Sequence, residues 1–80
     1  MELNKSEIHE IITALVVNRT RIRGRKTRTE RALEELKNSN VLEYDKGREL
    51  YLQSIIGLRQ IRIETISRLI QRFEEYAKDN

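Results

Sequence analysis

The chain has no cysteine, proline or tryptophan, and only three glycines, three tyrosines and one phenylalanine among its 80 residues. Without cysteine, disulfide staples, thiolate nucleophiles and thiolate metal sites are excluded. Without proline, and with glycine confined to positions 24, 47 and 57, few residues are able to interrupt a helix. The longest apolar run, Ala14 to Val17, is far short of the roughly 20 residues a membrane span needs, so no membrane partner is expected. The start, MELNKSEIHE, lacks a basic segment followed by an apolar core and cleavage site, so no signal peptide is expected. The expected location is cytoplasmic, and the triplet Asn18-Arg19-Thr20 is read as a chance glycosylation match.

Chemistry-bearing groupings are equally sparse. His9 is the single histidine, and no carboxylates are spaced to join it around an ion, so neither a metal site nor a cofactor is expected. No nucleophile, base and orienting residue form a local set, so no catalytic residue is assigned. What the chain does have is helix-forming chemistry. Leucine, isoleucine, glutamate and arginine dominate, and apolar positions recur at four-three spacing.

Asn4 and Glu7 fit a capping box, with Leu3 and Ile8 as a hydrophobic staple. From there Ile8, Ile12, Leu15, Arg19, Ile22, Lys26, Thr29, Leu33 and Leu36 form one stripe. The spacing predicts a helix over about 5–37, with a break near Gly24 as the alternative. Asn38-Ser39-Asn40 signals a turn at about 38–40, and Asn40 with Glu43 offers the next capping box. A second stripe, Leu52, Ile56, Arg59, Ile63, Ile66, Ile70, Phe73 and Ala77, predicts a helix over about 41–77. Ile55, Leu58, Leu69 and Tyr76 make that face wider than one partner helix would cover. The expected fold is all-α: a single domain over 1–80, an antiparallel helical hairpin that pairs into a homodimeric four-helix bundle. If the chain turns about 38–41, facing residue numbers add to about 79, which sets Arg19 near Arg59 or Gln60 and Lys26 near Gln53.

Charge supplies the functional signal. Residues 18–31, NRTRIRGRKTRTER, carry six arginines and one lysine against one glutamate, a net +6 in a chain whose total is +3. On a helix, Arg21, Arg25 and Arg28 occupy neighbouring turns of one side with Arg31 continuing their line, while Arg23 and Lys26 lie on adjacent faces. Arginine forks suit phosphate oxygens, and Thr20, Thr27 and Thr29 add hydroxyl donors. The competing reading is a solvated or protein-facing surface partly neutralised by Glu30, Glu34 and Glu35. No aromatic residue falls in the run, so base stacking with a single strand is not supported. A helix-turn-helix over residues 28–52 would lead its recognition helix with Glu43 and Asp45, which phosphate disfavours.

Arg19 and Arg59, on the inner stripes, together with Arg48 and Glu49, form a candidate anion pocket. Asp45-Lys46-Gly47-Arg48-Glu49 resembles the Asp-x-x-Arg-Glu stretch of the all-helical chorismate mutases, and Ile66-Ser67-Arg68-Leu69-Ile70-Gln71 resembles part of their last helix. The resemblance covers about a dozen residues. It implies an intertwined helical dimer in which Arg48, Glu49 and Arg19 hold a charged substrate without a cofactor. The early arginine of that family's first helix has no counterpart in Met1 to Glu10, and the chain ends about where the last glutamine should stand.

The expectation is a small non-enzymatic helical protein whose Arg21, Arg23, Arg25, Lys26, Arg28 and Arg31 bind DNA or RNA phosphates in a regulatory role. The alternatives are a module that binds and regulates an acidic protein, and a small-anion binder or cofactor-free enzyme.

Overall fold

The structure, a computed structural model, describes residues 2–38 and 45–79. Two helices, α1 (Lys5–Asn38) and α2 (Lys46–Asp79), lie antiparallel along each other as an all-α hairpin. The molecule is a rod of 61 × 15 × 15 Å. The start of α1 is closed reciprocally: the Asn4 N–H donates to Glu7 Oε1 at 3.1 Å, and the Glu7 N–H donates to Asn4 Oδ1 at 2.8 Å. The start of α2 is closed by Asp45, whose Oδ1 accepts the Arg48 N–H at 3.0 Å. The turn expected from Ser39 onward and the box of Asn40 and Glu43 lie outside the described residues. Asn38 is the last residue of α1, and the described part of the second helix begins at Lys46.

Gly24 does not break α1, and its backbone is ordinary helix. A methyl group built on Gly24 or on Gly57 meets nothing within 4 Å. Both glycines therefore cost helix propensity without relieving crowding. Gly24→Ala and Gly57→Ala are each expected to add about 1 kcal/mol of stability. Thermal unfolding followed by circular dichroism checks this, and a lowered midpoint would reveal a close approach that uses the missing side chain.

The core is built from isoleucine. Ile22 of α1 forms one buried cluster with Ile63, Ile66 and Ile70 of α2, Ile12 and Leu15 pack against that cluster, and Ile8 is buried near the termini. The register follows from polar contacts between the helices. Arg19 reaches Ser67 and Lys26 reaches Gln60, so facing residue numbers add to about 86. The expected value of about 79 assumed a turn centred near residue 40. The observed offset slides α2 by about seven residues relative to α1, roughly 10 Å at 1.5 Å per residue. Lys26 consequently faces Gln60, and Arg19 faces Ser67 rather than Arg59.

Candidate functional site

Three long cations occupy the inner stripes, and each crosses to the other helix to meet a neutral oxygen. Arg19 Nη1 donates to Ser67 Oγ at 3.1 Å, Lys26 Nζ donates to Gln60 Oε1 at 2.8 Å, and Arg59 Nη1 donates to the Arg25 carbonyl at 2.8 Å and to Thr29 Oγ1. Their stems line the half-buried seam between the helices while the charged ends act as ties. The Arg19 Nε is buried and has no hydrogen-bond partner among the described residues. Gln60 extends one tie further, since its Nε2 donates to Glu64 Oε1 at 3.1 Å.

These ties scatter the four residues of the candidate anion pocket. Arg48 is exposed at the start of α2, and the neighbouring buried Glu49 meets Lys46 at 3.0 Å and Gln53 at 3.4 Å. Arg59 stands 11 residues further along the helix and Ser67, the partner of Arg19, 19 residues further. At 1.5 Å per residue those separations are about 16 Å and about 28 Å. Arg19, Arg48, Glu49 and Arg59 do not converge on one point. Both stretches that carry the mutase resemblance belong to the single helix α2 and its cap, Asp45.

The basic run has a different fate. Arg21, Arg23, Arg25, Arg28 and Arg31 are exposed, while Lys26 is half-buried in its bond to Gln60. The register sets residues 18–31 opposite residues 55–68, which bring Arg59, Arg62 and Arg68. Seven cations of α1 and three of α2 thus share the waist of the rod with only Glu30 and Glu64. The waist carries a net +8 over about 20 Å of helix. The two ends together carry −5, so the rod is acidic, basic and acidic in turn. Among the described residues the one salt bridge joins Lys46 and Glu49, outside the waist. Glu30, Glu34 and Glu35 form no salt bridge with the arginines described there. Arg62 and Arg68 were missed in the sequence because only the register brings them level with the basic run.

The hydroxyls expected to help are otherwise engaged. Thr20, Thr27 and Thr29 each donate to the carbonyl four residues earlier at 3.0 Å, which leaves them no free proton for a phosphate.

The hairpin has two unlike flanks. One carries the Arg19–Ser67 and Lys26–Gln60 ties and, at 100° per residue, the polar residues Gln53, Glu64 and Gln71. The other carries the Arg59 tie, with Arg21, Arg25 and Arg28 of α1 beside Arg62 of α2. Along α2 this second flank continues in both directions as Tyr51, Ile55, Leu58, Leu69, Phe73 and Tyr76. Tyr51 is 65% and Leu58 is 61% exposed. Four arginines therefore stand between two apolar stretches.

No group of histidine and acidic residues among the described residues is arranged to hold a metal ion, and no described helix is long and apolar enough to cross a membrane. Compared with known proteins, the chain matches no family model, no curated protein and no solved structure.

Proposed function

We propose that the arginine waist binds nucleic-acid phosphates and that the protein works as a pair of hairpins. The observation that carries this is the waist itself: ten cations from both helices against two carboxylates, with no salt bridge among its described residues. Charges left unneutralised by their own protein favour a dense external anion, since each phosphate contact releases condensed counterions. Residues 18–31 and 55–68 contain no aromatic side chain, so stacking on base faces contributes nothing. The rod's 15 Å breadth exceeds the roughly 12 Å major groove, which points to recognition of backbone and shape.

Pairing is supported by surface area. The hairpin exposes 6488 Å², whereas a compact monomer of its 9.6 kDa would expose roughly 5,100 Å². The surplus of roughly 1,400 Å² per chain is what a stable homodimer would cover. A four-helix bundle buries it with the fewest changes to the hairpin.

Fluorescence anisotropy of labelled duplex DNA, duplex RNA and single strand, titrated with nuclease-treated protein at several salt concentrations, tests the binding. Converting Arg21, Arg25 and Arg28 together to alanine is expected to weaken binding across unrelated sequences. The slope of log affinity against log salt should flatten by about 0.9 for each DNA phosphate that the variant no longer neutralises, with helicity unchanged. Unaltered binding by this variant would refute the assignment. Binding to polyglutamate, with none to any nucleic acid, would transfer the waist to an acidic protein partner.

A further inference from the structure

The flank that bears Arg21, Arg25, Arg28 and Arg62 has a pattern that reads similarly from either end. On α2 the stripe runs Tyr51, Ile55, Leu58, Arg62, Thr65, Leu69, Phe73, Tyr76, and reversal about its midpoint pairs apolar and aromatic residues with one another and sets Arg62 opposite Thr65. Tyr51 falls opposite Tyr76, Ile55 opposite Phe73, and Leu58 opposite Leu69. On α1 the same flank runs from Ile11 and Ala14 through the arginines to Ala32 and Leu36, and reversal sets Ile11 opposite Leu36 and Ala14 opposite Ala32. The two midpoints, near residue 23 on α1 and near residue 63 on α2, stand at almost the same height because facing numbers add to about 86. A second copy turned end for end would therefore bury both apolar stretches at once, as a two-fold interface requires.

Such a pairing has one obstacle. Its centre brings Arg21, Arg25 and Arg62 of one copy against the same three residues of the other. Glu64, held by Gln60, lies on the opposite flank, and Glu30 projects there as well. No carboxylate described on this flank stands at that height. Like charges brought together and partly dried repel, and an anion between them reverses the sign.

We propose that two copies pair antiparallel across this flank, and that phosphate oxyanions held between their Arg21, Arg25 and Arg62 side chains close the interface. The proposal rests on the phosphate-binding reading of the waist and adds that binding and pairing are linked. Whatever binds the pair and not the single hairpin must strengthen pairing by mass action. The oxyanion can come from a nucleic-acid backbone clasped between two hairpins or from free phosphate.

Sedimentation equilibrium of the full chain in sodium chloride, in sodium phosphate and with a short DNA duplex, all at equal ionic strength, separates these cases. The association constant is expected to rise about tenfold or more over the chloride value. A rise in both phosphate and duplex establishes free oxyanion as sufficient, and a rise with duplex alone assigns the role to the polymer. Arg21→Gln with Arg62→Gln is expected to pair in chloride as tightly as the unaltered chain does with phosphate, and to lose the phosphate response. Leu58→Asp, at an exposed site that leaves the hairpin folded, is expected to abolish pairing in every buffer. Equal association in all three conditions overturns the proposal. If labelled duplex binds while the sedimenting mass stays that of one chain, the linked pairing fails and the waist reading survives. If the duplex neither binds nor alters the mass, both fail.

Discussion

Ile22→Ala is expected to cost about 3 kcal/mol and to leave much of the chain unfolded at room temperature. Ile22 is 3% exposed and is the α1 member of the cluster it forms with Ile63, Ile66 and Ile70. Shortening it removes the α1 member of that cluster, and a two-layer hairpin has no further layer from which to refill the space. A domain of this size holds only a few kcal/mol in reserve, so a loss of that order consumes most of it. Urea unfolding followed by circular dichroism reads the effect. Ile22→Val should cost only about 1 kcal/mol, because most of the side chain's volume remains. If the alanine variant unfolds at the same urea concentration as the unaltered chain, the described packing is not what holds the helices together.

The second large effect concerns binding. Arg62→Glu is expected to weaken duplex binding about thirtyfold at low salt, as strongly as Arg25→Glu. A unit charge about 5 Å from a phosphate is worth roughly 1 kcal/mol in a highly solvated setting, and reversal changes the local charge by two. Arg62 stands 31 residues beyond Arg31, the end of the basic run, and nothing in the linear sequence ties it to that run. An interface confined to residues 18–31 would leave binding almost untouched by Arg62→Glu. The hairpin waist, in contrast, makes Arg62 a neighbour of Arg21 and Arg25. Anisotropy titrations of the two reversal variants, side by side with the parent, decide between a linear and a folded interface.

The same contrast marks what was legible in the sequence. Both helices announce themselves through the four-three recurrence of isoleucine and leucine, and Asn4 with Glu7 marks the start of α1 with a reciprocal bond pair. Register is another matter. It depends on how far the chain travels before α2 is capped, and Asn40 offered a capping box as plausible by composition as the bond made by Asp45. An offset of a few residues in that choice moved every cross-helix neighbour. It separated Arg19 from Arg59 and lifted Arg62 and Arg68 into the waist. The ties of Arg59 to the Arg25 carbonyl and to Thr29 were likewise hidden, because a long side chain at an apolar position gives no sign of which oxygen it will reach.

Those ties have a consequence for how the molecule responds to its surroundings. Arg19, Lys26 and Arg59 each clasp a neutral hydroxyl, amide or carbonyl oxygen, so these three ties between the helices do not depend on opposed charges. Dissolved ions blunt attraction between charges over a Debye length of about 10 Å at 0.1 M, yet they have little purchase on a half-buried bond to an uncharged acceptor. The outward arginines have no such shelter. Ionic strength thus acts as a clutch on this protein: it can disengage what the waist holds while the hairpin itself stays assembled.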